Sequence, residues 1–180
     1  MPSRPEPRSE TGAPADVAGI PVACRNGLPD QIFSHTNPPD ETKFVTISNR
    51  GFINKPRGGL WTTPAKSLSW VDYTRGTPGL ANNHRRTYHL RPHPRATVAV
   101  INSAQDVTKL LAQFEHPLPA QFANAGLPRQ LDFEKLSGYV DGIYLTDAGA
   151  EDNHYHRTET TLFTWDLESI LWLKWCFTPT

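Results

Sequence analysis

Lys55-Pro56-Arg57-Gly58-Gly59-Leu60-Trp61-Thr62-Thr63-Pro64-Ala65-Lys66-Ser67-Leu68-Ser69-Trp70 carries loop, strand and helix signals in one short run. Adjacent glycines at 58 and 59 let the chain turn and let its backbone approach another group closely. Leu60 to Thr63 is β-prone, with Trp61 on one face and Leu60 on the other, until Pro64 stops it. From Ala65 to Tyr73 the spacing becomes helix-compatible, and Thr62, Thr63, Lys66 and Ser67 offer donors near the helix start. Two readings fit. The stretch is either a cradle for a ribose and a flat heterocycle, or a Gly-Gly turn into a core strand with Trp61 and Trp70 packed inside.

Outward from this stretch the pattern is mainly of strands. Phe44 to Ser48 alternates apolar and polar residues at period 2 and is expected to be the first strand, so the folded unit is expected to begin near Lys43. Tyr88 to Leu90 and Thr97 to Ile101 are further strands, separated by a turn at Pro92 and Pro94. Ser103 can cap a helix with Asp106 three residues on, and Val107, Leu110, Leu111 and Phe114 form its apolar face. An irregular stretch from Pro117 to Arg129 precedes a short helix over Asp132 to Leu136 that ends at Gly138. Tyr139 to Leu145, Thr161 to Trp165 and Ser169 to Phe177 complete the strands. Strands outnumber helices and do not alternate with them, which favours an α+β fold with an antiparallel or split β-sheet and a few short helices. Upstream, residues 1–20 form a Pro-rich charged tail with too little apolar surface to offset its ordering entropy, and disorder is expected there. Residues 21–42 are expected to be an irregular lead along the domain, and 43–180 a single domain.

Composition narrows the function classes. Lys plus Arg and Asp plus Glu each number 18 in 180 residues, so no net field draws the chain to nucleic acid or anionic lipid. Cys24 and Cys176 are too few for a disulfide framework and have no zinc spacing, which suits a reducing cytoplasm. The longest apolar run, Ser169 to Phe177, is broken by Lys174 and falls far short of the roughly 20 residues of a membrane span. The N-terminal region lacks the apolar core of a signal peptide, so a cytoplasmic protein with no membrane partner is expected. His154 and His156 lie beside Glu151 and Asp152, but the polar segment 147–157, read as a loop, offers no third well-spaced ligand, and no metal is expected. Arg85, Arg86, Arg91 and Arg95 form a basic strip that is either a solvated surface or a phosphate or nucleic-acid contact.

Gly59-Leu60-Trp61-Thr62-Thr63 followed by Ala65-Lys66-Ser67-Leu68-Ser69-Trp70 resembles the nicotinamide-pocket segment of the ADP-ribosyltransferase superfamily, in particular its poly-ADP-ribose polymerase branch. Gly138-Tyr139-Val140-Asp141-Gly142-Ile143, then Leu162-Phe163-Thr164-Trp165-Asp166 and a terminal strand, resembles the closing half of such transferases. The resemblance implies an ADP-ribosyltransferase-like split sheet and NAD as substrate. It further implies release of nicotinamide and transfer of ADP-ribose to a protein, nucleic-acid or small-molecule acceptor. An NAD glycohydrolase, or a silent nucleotide- or protein-binding domain of the same fold, is the alternative.

By the same resemblance the dinucleotide lies across Gly58, Gly59, Leu60, Trp61, Thr62, Ser67 and Trp70. Gly59 contacts the nicotinamide amide through its backbone, Trp61 stands on the ribose side and Trp70 stacks on the ring. The chemistry needs a carboxylate against an oxocarbenium-like centre. Glu168 is the first choice, Glu159 the rival, and Asp166 is expected to point the same way as Glu168 one pleat earlier. First strands of the superfamily supply an Arg or His to position the dinucleotide, and Phe44 to Ser48 has neither. Ser48 and Asn49 are the hydrogen-bonding residues at hand, with Arg50 just beyond the strand and His35 before it.

Overall fold

The computed structural model describes residues 16–24, 28–51, 53–67, 69–77, 86–122, 125–155, 162 and 164–178. Eight of the described strands form one sheet in the order β1-β2-β6-β9-β10-β4-β3-β5. They are β1 (Asp16–Val17), β2 (Ile20–Cys24), β3 (Gln31–His35), β4 (Leu60–Pro64), β5 (Arg86–Leu90), β6 (Thr97–Ile101), β9 (Gly142–Leu145) and β10 (Ser169–Trp172). Among the described strands, only β6 and β9 pair in parallel. β7 (Glu115–His116) and β8 (Gln130–Leu131) form a separate antiparallel pair. The helices are short: α1 (Ser69–Gly76), α2 (Ala104–Gln113), α3 (Phe133–Leu136) and α4 (Asp147–Tyr155). The class is therefore mixed α and β with a large, mostly antiparallel sheet.

β10 shows why this sheet holds together. Ile170, Leu171 and Trp172 are all buried, because both faces of the strand are covered, and Leu173 just after it is buried too. Leu171 and Leu173 join Ala99, Ile101, Ile143 and Leu145 in a core under α2 and α3, whereas Ile170 and Trp172 join Val98, Leu90 and Phe177 in a second core on the opposite face. α2 forms as its pattern predicts: the Ser103 hydroxyl caps the Asp106 N–H, and Val107, Leu110 and Leu111 are buried.

Several expectations need correction. The lead over 21–42 is not irregular: β2 pairs with β6, and β3 pairs with β4 and β5. The tail read as reaching residue 20 is structured from Asp16, where Ala18 and Gly19, with φ of 58° and 71°, make the two-residue turn of a β1–β2 hairpin and Val17 and Ile20 enter the core. Long-range pairing overrides the Pro, Gly and Asn content that suggested a loop. Conversely, Phe44 to Ser48 is no strand; Ile47 is buried, Val45 is exposed, and the ladder shrinks to one bridge between Ser48 and Arg57. Asp147–Tyr155 is helix rather than loop. The Thr146 hydroxyl accepts from the Gly149 N–H, and Gly149 lets the helix press on β6, since a Cβ there would meet the Ile101 carbonyl at 2.3 Å. The strand expected over Ser169 to Phe177 stops at Trp172, and of the strand expected over 161–165 the described residues 162, 164 and 165 are not in a strand.

Candidate functional site

β3 and β4 pair at only two positions, Gln31 with Pro64 and Ile32 with Thr63. Beyond Ile32, β3 keeps pairing with β5 as far as His35, while Leu60 to Thr62 of β4 pair with β10. The two strands therefore part near the β5 edge of the sheet, with only β3 and β5 beyond the parting. A cavity of about 270 Å³ opens at the parting. Phe33, Ser34 and His35 form one wall and Trp61 and Thr62 the next, while Trp70 comes from α1. Thr164, Trp165, Asp166, Leu167 and Ser169 close it, and Lys55 stands at its side. Its size is at the small end for small-molecule sites, enough for one aromatic ring and its substituents.

Fixed hydrogen bonds hold these walls. Trp61 packs edge-on against Trp165, with ring centroids 4.6 Å apart. The Trp165 indole N–H donates to the Asn54 carbonyl at 2.7 Å, and the Asn54 side chain bridges the Leu131 N–H and the Arg129 carbonyl, which locks the loop carrying Lys55. The Thr62 hydroxyl is fully engaged: it donates to Gln31 Oε1 at 2.7 Å and accepts from the Trp172 indole at 2.9 Å. His35 stacks on Phe33, and its Nδ1 accepts from the Asn37 N–H at 3.2 Å, so the ring proton sits on Nε2 as a donor. Thr164 is different. Its hydroxyl is buried and has no hydrogen-bond partner, an arrangement that costs free energy until a polar group meets it.

Of the residues expected to bind the dinucleotide, Trp61, Thr62 and Trp70 line this cavity and the others do not. Gly58 and Gly59 adopt φ of 74° and 69°, and their close approach is to the protein itself. A Cβ on Gly58 would meet the Thr46 carbonyl at 2.4 Å, and one on Gly59 the Trp172 carbonyl at 2.7 Å. Leu60 packs in the second core. Ser48 bonds through its backbone to Arg57, and the Ser67 N–H donates to the Pro64 carbonyl. The Asn49 side chain clips the start of α3, accepting from the Phe133 N–H and donating to Asp132, while the Glu134 carboxylate accepts from the Asn49 N–H.

The carboxylates part company as well. Asp166 lines the cavity and is exposed, as are its neighbours Leu167 and Ser169 in part. Glu168 does not line it: its carboxylate accepts a short hydrogen bond from the Tyr144 hydroxyl, and Tyr144 packs against the second core. Burial, with the Glu168 carboxylate as the second cause, pushes the Tyr144 hydroxyl above the usual tyrosine range, so it stays a donor. Glu159 lies outside the described residues, as does His156. Among the described residues no group of three or more His, Cys, Asp and Glu side chains is placed to hold a metal ion, and no helix is long and apolar enough to cross a membrane. The sequence reading gave no site role to Phe33, Ser34, Lys55, Thr164 or Ser169. The Gln31-Ile32-Phe33-Ser34-His35 alternation was the available signal for the missing wall.

Comparison with protein-family models, with curated proteins and with solved structures gave no match.

Proposed function

We propose that the chain is an ADP-ribosyltransferase-like enzyme that takes NAD as substrate, seats the nicotinamide ring in the cavity between β3 and β4, and passes ADP-ribose to an acceptor. The observation that carries this reading is the parting of β3 from β4. Trp61 and Trp70 of the first stretch that carries the family resemblance and Thr164, Trp165 and Asp166 of the second line one aromatic cavity, with the unmet Thr164 hydroxyl in its wall, while Gly138 to Ile143 of the second stretch does not line it. The first-strand Arg or His that the resemblance calls for also has a candidate. The strand beside β4 is β3, not Phe44 to Ser48, and it ends at His35, which lines the cavity with a donor N–H. In the reaction the ribosyl C1′–N bond breaks, nicotinamide leaves with the electron pair, and a carboxylate steadies the cation until the acceptor attacks and sheds its proton. Water as acceptor gives a glycohydrolase.

The carboxylate comes from the turn before β10. Glu168 is the residue the resemblance selects, and Asp166 is the one that lines the cavity. The engagement of Glu168 by Tyr144 also favours a second reading, a silent domain that binds a nucleotide or a partner. Nicotinamide release from NAD, with and without protein, nucleic-acid and small-molecule acceptors, decides between them. Asp166→Asn or Glu168→Gln, whichever carboxylate faces the cation, should lower turnover about 100-fold with little change in NAD affinity. No release by the parent with any acceptor rejects the enzyme.

A further inference from the structure

One member of the basic strip, Arg86, does not line the cavity but is the strand neighbour of a residue that does. β5 is an edge strand, and its first residue, Arg86, pairs directly with His35. Directly opposed residues of an antiparallel pair project from the same face with Cβ atoms about 5 Å apart. Exposed Arg86 thus leaves the sheet on the same face as His35, which lines the cavity, and is within reach of its opening. Lys55 reaches the cavity from the loop locked by Asn54 and Trp165. Among the described residues, neither Arg86 nor Lys55 is in an ion pair, whereas Lys43, Arg75, Lys109, Arg129 and Lys174 each have a carboxylate partner. The cavity itself admits little more than one ring and its substituents, so the rest of a larger ligand must lie over this mouth.

We infer that the cavity mouth is a phosphate subsite. The ligand is an aromatic base on a phosphorylated sugar, its ring among Trp61, Trp70 and Phe33 and its phosphate held by Arg86, with Lys55 and the His35 Nε2–H as further donors. Arg suits this task because its planar fork makes paired, charge-assisted hydrogen bonds to phosphate oxygens. Asp166 is the carboxylate lining the same cavity, and its charge keeps the phosphate toward the β3–β5 side. The choice of a nicotinamide ring rests on the proposed function; the phosphate subsite does not.

The test is titration calorimetry of the full chain with nicotinamide mononucleotide, nicotinamide riboside, NAD and ADP. The mononucleotide should bind at least about 10-fold more tightly than the riboside, and the difference should shrink as salt rises from 50 to 200 mM. Arg86→Ala should remove most of that difference, Arg86→Lys should keep part of it, and Lys55→Ala should have a smaller effect, all with unchanged melting temperature because both side chains are solvent-facing or half-buried. Equal affinity for riboside and mononucleotide, or no effect of Arg86→Ala on any phosphorylated ligand, overturns the inference. Binding of ADP with Arg86 dependence but no binding of either nicotinamide compound or of NAD would sink the NAD reading and leave the phosphate subsite standing. No binding of any of the three phosphorylated probes overturns both.

Discussion

The two halves of the Lys55 to Trp70 stretch do different work. Gly58 and Gly59 face inward onto carbonyls of Val45, Thr46 and Trp172, and their missing side chains let the loop, the 44–48 segment and β10 meet. Trp61 and Trp70, a few residues on, have part of their rings open to a cavity. One half is needed for the sheet to close and the other for what the opening in the sheet can hold. A motif read as a single binding element is thus a structural hinge followed by a lining. Substitutions in the two halves should separate stability from binding.

The sharpest separation is expected between Gly59→Val and Trp70→Ala. At Gly59 a side chain must accept a positive φ and displace the Trp172 carbonyl, Leu171 and Ile47, for a loss of about 4 kcal/mol. Urea denaturation should show the loss directly, and any fall in ligand affinity will come with it. Trp70 is half-buried at the cavity wall and stacks on Tyr73, itself 44% exposed. Its replacement should change stability by no more than about 1 kcal/mol and should weaken ring binding markedly. A Gly59→Val protein as stable as the parent would show that the close approach is not needed.

The next effect in size concerns the region that a reading of composition alone would discard. Deleting residues 2–20 removes β1 and the start of β2, including the buried Val17 and Ile20. Losing two buried aliphatic side chains should cost about 3 kcal/mol and lower the melting temperature by roughly 10 °C. An unchanged melting curve would mean that the β1–β2 hairpin adds nothing to the sheet.

What the sequence made legible follows a physical line. Elements fixed by local signals are where the pattern puts them: the Ser103-capped α2, the Thr97–Ile101 strand and the turn into Leu60–Pro64. Strands with a weak local pattern that distant partners hold, β2 and β3, were misjudged. β3 is held by β4 and β5, some 30 and 55 residues away, and its short alternation lay among prolines. That one misplacement hid the β3 wall of the cavity and the place of His35 in it, because a cavity made by two strands parting cannot be seen until both strands are known. α4 was hidden for another reason: Gly149 weakens the helical pattern and is required by contact with Ile101. Glu168 and Asp166, two residues apart, were expected to share a face, yet the strand begins only at Ser169, so the alternation rule did not reach them.

That last point can be tested at the Tyr144 contact. Tyr144→Phe removes the hydroxyl that holds the Glu168 carboxylate and leaves the ring in the second core, so the stability change should be small, about 1 kcal/mol, as for one half-exposed hydrogen bond. The carboxylate is only half-buried and can turn to water instead. If Asp166 faces the ribosyl cation, nicotinamide release per folded molecule should be the same in Tyr144→Phe and parent. If Glu168 does so from the position Tyr144 gives it, kcat should fall about 10-fold or more with KM nearly constant, since the bond would be orienting a group that acts only in the transition state. Combining Tyr144→Phe with Glu168→Gln sharpens the reading. A positioning role predicts that the second substitution adds little to the first, whereas independent roles predict that the two losses multiply.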